Sequence, residues 1–224
     1  MELKKDYAPE MVTAFIRLNG ATVGCVANRS EVYTDGEKTA TYDAALTAAG
    51  CEKAAAFVNF CNAFEIPVLT LVNVDGYKNC TCNEKKIAKA AARLTYAFAN
   101  ADVPKVTVVV GKANGTAGLT MNSKSIGSDI VYAWKNAKIG VMEATPAVKI
   151  MYADEIAKAD NAAALINEKA AQYNEMQASA LAAAKRGYVD DIIEASETRQ
   201  RVAAAFEMLF TKREDRPSKK HGTI

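Results

Sequence analysis

Residues 103–134 read VPKVTVVVGKANGTAGLTMNSKSIGSDIVYAW, and this stretch decides the fold. Its β-branched run at 105–110 is typical of a buried strand, and a second short strand is predicted at 130–134. Gly115 and Gly118 lie between the two strands, and we expect a helix to begin after Gly115. A buried strand that opens into so small a turn indicates that something comes close to the backbone there.

Strands and helices alternate through the rest of the chain. The other predicted strands lie at 12–17, 21–27, 68–74 and 138–142, with Asn19-Gly20 as the turn between the first two. The predicted helices lie at 51–64, 84–101, 153–186 with a break, and 196–212, while 31–45 is expected to be turn-rich and then helical. The last residues, 211–224, are expected to form an extended tail. This alternation predicts an α/β fold with a largely parallel sheet covered by helices.

In such sheets, ligands bind beyond the carboxyl ends of the strands. Two turns meet that condition, Asp75-Gly76-Tyr77 and the segment 111–118. The glycines of the second turn do not have the spacing of a dinucleotide-binding loop or of a P-loop. Two interpretations stay open. The small residues could let the helix pack closely on the strand, or the free N–H groups of the first helical turn could form an oxyanion hole.

Composition narrows the function classes. The chain has 224 residues, a net charge of +2 and 50% hydrophobic residues, which predicts one domain with an ample core. The balanced charge argues against a nucleic-acid partner. No apolar run reaches the length of about 18 residues that a membrane span needs, so no membrane insertion is expected. Because the N-terminus lacks the apolar segment of a secretory signal, we expect a cytoplasmic protein.

The cysteines and the histidine argue against metal and imidazole chemistry. Only Cys80 and Cys82, of five cysteines, are close in sequence, and an odd number of thiols in a chain without an export signal indicates reduced cysteines. Zinc sites commonly need four ligands, so no metal site is expected. The single histidine, His221, lies in the predicted tail, whereas a catalytic imidazole needs a rigid frame.

Several segments, in order along the chain, resemble a known family. They are GCVANRS near the start, then VLTLVNVDGY, ARLTYAFANADVPKVTVVVGKA, MNSKSIGSDIVYAW, RGYVDDIIEASETRQRV and RPSKKHG. Together they are similar to the C-terminal domain of the carboxyltransferase subunit of biotin-dependent acyl-CoA carboxylases, of the propionyl-CoA carboxylase β type. The α subunits of methylmalonyl-CoA and glutaconyl-CoA decarboxylases belong to the same family. The resemblance covers nearly the whole chain, from about residue 11.

The resemblance implies a fold and a domain organisation. The fold would be crotonase-like (ClpP/crotonase), a spiral of ββα units with C-terminal helices. Residues 1–224 would form a single carboxyltransferase C-terminal domain, and the family's N-terminal acyl-CoA domain would be absent from this chain. The chain would then be either a cut domain or a naturally split subunit, and both readings stay open.

The resemblance also assigns site residues. The family segment RKAYGGAYxxM aligns with GKANGTAGLTM here, so that Gly115 and Thr116 match its two glycines and Ala117 matches its alanine. The backbone N–H groups of Thr116 and Ala117 would be the catalytic oxyanion hole that holds the ureido oxygen of biotin. The residues expected to border the cofactor are Asn114, Gly115, Gly118, Gly76 and Tyr77, and Leu119 is expected to influence acyl specificity.

Three departures make the expected biotin pocket atypical. Thr116 replaces a glycine, and a β-branched residue tolerates fewer backbone angles. Asn114 and Gly118 each replace a tyrosine of the family pattern, which removes aromatic walls. From these departures we expect an activity that is altered in substrate or reduced.

The implied reaction moves a carboxyl group between carboxybiotin and a short-chain acyl-CoA of the propionyl-CoA/methylmalonyl-CoA type. The expected partners are an N-terminal carboxyltransferase domain or subunit, a biotin carboxyl carrier protein, and further copies of the chain in a dimer-based oligomer of up to six. Two alternatives stay open, a non-catalytic scaffold domain and the carboxyltransferase of a biotin-dependent decarboxylase. A hydratase of the crotonase type is disfavoured because no paired glutamates lie near the turn.

Overall fold

A computed structural model describes residues 1–214 of the chain, so most of the predicted tail at 211–224 lies outside the described residues. Its strands are β1 (Glu2–Leu3), β2 (Met11–Leu18), β3 (Ala21–Asn28), β4 (Glu31–Thr34), β5 (Glu37–Thr41), β6 (Ala45–Leu46), β7 (Val68–Val74), β8 (Gly76–Tyr77), β9 (Lys105–Asn114), β10 (Ile130–Trp134), β11 (Lys138–Gly140) and β12 (Asp191–Ile193). Its helices are α1 (Ala48–Ala63), α2 (Thr81–Asn100), α3 (Gly115–Thr120), α4 (Ala144–Met151), α5 (Ala153–Lys158), α6 (Ala162–Tyr173), α7 (Ala180–Lys185) and α8 (Thr198–Met208).

One mostly parallel sheet organises this mixed α/β domain. Its strands follow the order β1-β2-β3-β7-β9-β10-β12, and β11 pairs with the end of β9. The pairs from β3 to β12 are parallel, whereas β1, β2 and β3 pair antiparallel. The prediction of a largely parallel sheet is therefore confirmed. The more specific crotonase-like spiral stays a prediction.

Helices cover both faces of the sheet, and the central strand β9 shows why. Val106 and Val108 point to one face, where they belong to the same buried cluster as Val202 of α8. Val109 points to the other face and packs in the cluster that contains Phe98 of α2. Because successive side chains of a strand alternate, a run of valines buries both faces.

The hairpin between β2 and β3 forms as predicted. Asn19 and Gly20 both have positive φ, +48° and +85°, which a tight two-residue turn of this kind requires. Leu18 pairs with Ala21 across the turn. The sequence signal was sufficient here because the turn chemistry is local.

A second hairpin shows where the sequence prediction was wrong. Within residues 31–45, expected to be turn-rich and then helical, β4 and β5 form an antiparallel pair over 31–41 and no helix is present. Asp35 and Gly36 make its turn with φ of +53° and +86°, and Asp-Gly is a hairpin signal that the analysis missed.

The C-terminal helices are shorter and more numerous than predicted. The segment expected to be one broken helix at 153–186 contains α5, α6 and α7, with a π-helical turn at Asn174–Ala178. Ser179 caps α7 by accepting a hydrogen bond from the N–H of Ala182 at 3.1 Å. The helix α4, which begins at Ala144, was not predicted at all.

Strand β9 changes partners along its length, and this change positions the site. Ile130–Ala133 of β10 pair with its first half, while Lys138–Gly140 pair with its last three residues. At the change of partner, Gly111 lies so close to Asn73 that a Cβ at this position would be 2.4 Å from the side-chain oxygen of Asn73. That oxygen accepts the backbone N–H of Lys112 at 3.1 Å. A glycine at 111 therefore leaves room for the Asn73 side chain against the backbone of β9.

Candidate active site

The two turns predicted to bind a ligand meet in one cleft. The cleft has a volume of about 380 Å³, within the usual range of ligand pockets. It is lined by Asp75, Gly76, Tyr77, Asn114, Gly115, Thr116, Ala117, Val141, Met142, Glu143 and Pro146. The structure thus brings together the ends of β7 and β9, which are neighbours in the sheet.

The short helix α3 begins at the wall of this cleft. Gly115 has a φ of +57°, and a Cβ there would be 3.0 Å from the carbonyl oxygen of Val141 across the cleft. Both the backbone angle and the limited space therefore favour a glycine at this position. Thr116 is exposed and Ala117 is buried, and both residues belong to the first turn, whose N–H groups have no acceptor inside a helix.

Charged side chains connect three segments at the rim. The ammonium group of Lys112 lies 3.0 Å from a carboxylate oxygen of Asp75 and 2.6 Å from one of Glu143. The hydrogen bond to Glu143 chiefly, and then the one to Asp75, raise the pKa of Lys112 above its ordinary value. The buried Asn114 donates from its side chain to Asp75 at 3.2 Å. The rim is therefore tied together by one cation and two carboxylates.

Hydroxyl groups line up behind the cleft. The Tyr77 hydroxyl lies 3.2 Å from the hydroxyl of Thr120, which in turn donates to the carbonyl oxygen of Thr116 at 2.9 Å. Thr95 of α2 lies 3.3 Å from the same Thr120 oxygen. These hydroxyl contacts fix the aromatic ring of Tyr77 relative to α3.

Two predicted site residues do not line the cleft. A Cβ at Gly118 would be 2.7 Å from the carbonyl carbon of Ala113, so this glycine serves the close packing of α3 against the end of β9. Leu119 is on the exposed side of the helix, with 45% of its surface accessible. The packing interpretation of the glycine-rich turn is therefore supported at Gly118, and the oxyanion hole at Thr116 and Ala117 stays a prediction.

The sequence analysis missed the opposite wall of the cleft. This wall follows β11 in the chain and consists of Val141, Met142, Glu143 and Pro146. The pairing of β11 with the end of β9 brings it to the cleft. A possible signal was the short apolar segment 138–142, predicted as a strand but not assigned to the site.

The described part of the chain holds neither a metal cluster nor a membrane helix. No group of three or more histidine, cysteine, aspartate or glutamate side chains in residues 1–214 could hold a metal ion. Within the same residues, no helix is long and apolar enough to cross a membrane. His221 lies outside the described residues.

Curated relatives match the whole chain. It is 42% identical over 225 residues to the methylmalonyl-CoA carboxyltransferase 12S subunit of Propionibacterium freudenreichii subsp. shermanii, with 100% of this chain and 41% of that protein covered. It is 40% identical to the methylmalonyl-CoA decarboxylase subunit alpha of Propionigenium modestum, again over 100% of this chain and 42% of the relative. The chain therefore spans about 40% of the length of the relatives it matches.

A solved structure supports the same assignment. The crystal structure of the transcarboxylase 12S hexamer, with methylmalonyl-coenzyme A and methylmalonic acid bound, superposes with a TM-score of 0.90 at 42% identity. The superposition covers 99% of this chain and 41% of that one. The family model of the carboxyl transferase domain matches residues 1–224. The chain therefore belongs to the carboxyl transferase domain family.

Proposed function

We propose that this chain supplies the biotin-facing part of a carboxyltransferase active site, which transfers a carboxyl group between carboxybiotin and a short-chain acyl-CoA of the propionyl-CoA/methylmalonyl-CoA type. The observation that carries the proposal is the cleft in which Gly115, Thr116 and Ala117 meet the turn at 75–77. The similarity of the whole chain to 41% of the 12S subunit supports the reaction class.

The residues present fit the ureido ring of biotin. Gly115 lets the backbone of α3 approach the Val141 carbonyl closely, and the cleft beside this contact has a volume of about 380 Å³, enough for a small planar ring. The Tyr77 ring, held by its hydroxyl contact with Thr120, offers an aromatic wall to the cleft.

The proposed chemistry of the chain is electrostatic. Carboxybiotin, when bound, supplies the carboxyl group. The N–H groups of Thr116 and Ala117 would donate to the ureido oxygen, where negative charge develops as the carboxyl group leaves. Removing one such donor typically lowers kcat by about 10²–10³-fold. Lys112 would not touch the reacting atoms, but through Asp75 and Glu143 it holds the cleft walls in place.

A complete site would need partners. The 12S structure is described as a hexamer that forms a multienzyme core. By analogy we propose that this chain acts beside an N-terminal carboxyltransferase domain or subunit that binds the acyl-CoA, with further copies of the chain. A biotin carboxyl carrier protein would bring the cofactor.

The test measures carboxyl transfer from methylmalonyl-CoA to biocytin by the chain assembled with its acyl-CoA domain. The variant Thr116→Pro removes one N–H of the first helical turn, and circular dichroism checks that the variant folds. We expect its kcat to fall by about 10²-fold or more, whereas the matched control Thr116→Gly keeps the N–H and should retain activity.

Two results would refute the proposal. Equal activity in Thr116→Pro and Thr116→Gly would mean that the N–H does not act. No transfer by the folded wild-type assembly, with several acyl-CoAs tried in both directions, would favour a scaffold domain. Transfer from methylmalonyl-CoA to biocytin without transfer in the reverse direction would instead favour a decarboxylase like the Propionigenium relative.

A further inference from the structure

Two cysteines beside the cleft differ from the other thiols of the chain. Cys80 precedes the first turn of α2 and Cys82 lies within that turn, and their sulfur atoms are 3.0 Å apart. Cys82 is exposed and Cys80 is partly exposed. Tyr77 lines the cleft, and both cysteines belong to the short segment that follows it. Nothing in the proposed carboxyl transfer uses them.

The surroundings of Cys80 favour its thiolate. The contact with the Cys82 thiol is the main cause that lowers the pKa of Cys80, the backbone N–H of Asn83 is the next, and Lys78 adds a smaller effect. The same contact raises the pKa of Cys82, which therefore keeps its proton longer. Cys80 also lies at the start of a 20-residue helix, whose dipole favours an anion.

The remaining cysteines provide a comparison for the reactivity of Cys80 within the same chain. Cys25, Cys51 and Cys61 are buried in the core. Burial raises the pKa of Cys25 to about 11 and the pKa of Cys51 and Cys61 to about 12. A protected thiol of this kind reacts slowly, because the thiolate is the nucleophile.

The segment that carries the pair is firmly held. The buried side chain of Asn83 accepts the N–H of Ala48 at 2.7 Å and donates to the carbonyl oxygen of Lys78 at 2.8 Å. The Cys80 carbonyl accepts the N–H of Glu84 at 3.0 Å. Because these bonds fix the backbone, the two sulfurs stay within reach of one another. A disulfide would bring the two sulfurs from 3.0 Å to about 2.05 Å.

A zinc site is the main alternative use of two close thiols. It requires further ligands, commonly four in all. In residues 1–214 no third cysteine, histidine or carboxylate joins this pair in a group that could hold a metal. The geometry therefore favours thiol chemistry.

We propose that Cys80 and Cys82 form a redox-active dithiol that a hydroperoxide oxidises to an intramolecular disulfide. The Cys80 thiolate attacks the hydroperoxide, a sulfur–oxygen bond forms, and the oxygen–oxygen bond breaks to release an alcohol or water. Cys82 then attacks the sulfenic sulfur of Cys80, a disulfide forms, and the departing oxygen leaves as water with the thiol proton. The two sulfurs lose two electrons and the hydroperoxide gains them.

The test oxidises the folded chain with hydrogen peroxide, then alkylates the remaining thiols in denaturant and digests with trypsin. Both cysteines lie in one expected tryptic peptide, 79–85 (NCTCNEK). We expect this peptide to be unalkylated and lighter by two hydrogens than its reduced form. The peptides with Cys25, Cys51 and Cys61 should be fully alkylated.

Three variants sharpen the result. In Cys82→Ser the sulfenic acid of Cys80 should persist and be trapped by dimedone. In Cys80→Ser the remaining thiol of Cys82 should react with hydrogen peroxide at a rate at least about tenfold lower than that of Cys80. The control Thr81→Ser keeps both thiols and should behave as wild type. Full alkylation of Cys80 and Cys82 after oxidation, a disulfide that joins two chains, or equal rates in the two serine variants would overturn the proposal.

Discussion

The two ends of strand β9 carry the same residue type in opposite roles. Lys105, at the first position, is fully buried, and its ammonium group donates to the carbonyl oxygen of Phe98 at 2.7 Å. Lys112, near the last, has 35% of its side chain exposed and bridges two carboxylates. The first lysine completes the core and the second spans the cleft.

Neighbouring polar groups follow the same division. Near the first half of β9, the Thr107 hydroxyl donates to the carbonyl oxygen of Asn122 at 2.7 Å and lies 3.0 Å from the Ser128 hydroxyl, all within the buried interior. At the other end, Asn114 and Lys112 direct their polar groups to the rim of the cleft. Thus the polar groups at the N-terminal end of β9 are buried and hydrogen-bonded within the core, whereas those at its C-terminal end face the cleft.

The largest expected effect tests the buried end. Lys105→Ala removes a buried stem and leaves the Phe98 carbonyl without this donor, so we expect the free energy of unfolding to fall by about 3 kcal/mol. Urea denaturation measures it. Lys112→Ala is the matched control, and should cost less than about 1 kcal/mol because its ion pairs are partly exposed. Equal losses in the two variants would remove the distinction between the ends.

A smaller effect is expected at the turn after β9. Gly118→Ala places a Cβ 2.7 Å from the Ala113 carbonyl carbon, and backbone cannot yield cheaply. We expect a loss of about 1–3 kcal/mol in thermal or urea unfolding. Gly76→Ala, across the cleft, has no atom within 4 Å of the added Cβ and should be nearly neutral. A neutral Gly118→Ala would contradict the packing role.

The smallest effect concerns the pH dependence of the exposed end. The pKa of Lys112 is raised in the folded state, so its contribution to stability is present below the unfolded pKa and lost as pH rises through the folded value. The stability difference between wild type and Lys112→Met, at most about 1 kcal/mol, should therefore be present below the ordinary lysine pKa of about 10.4 and be lost as the pH rises above it. A difference that grows over this range would contradict the assigned bridge.

Apart from the Asp35-Gly36 hairpin, the sequence predicted the parts of the molecule whose signals are local. The β-branched run of β9, the Asn19-Gly20 turn and the two strand-end turns of the cleft were all assigned from adjacent residues. The wall formed by Val141 and Glu143 was missed because it depends on the pairing of β11 with the end of β9, a contact between distant segments. The roles given to Thr116 and Ala117 came from family resemblance and stay predictions.

The central place of β9 has a consequence for hydrogen exchange. The strand has partners on both sides, β7 on one and β10 then β11 on the other, and helices over both faces. Amides in such a position exchange with solvent mainly when the whole domain unfolds. Since Asn114 ends this strand and Gly115 follows it directly, we expect the α3 wall of the cleft to keep its position during local openings that loosen the surface helices.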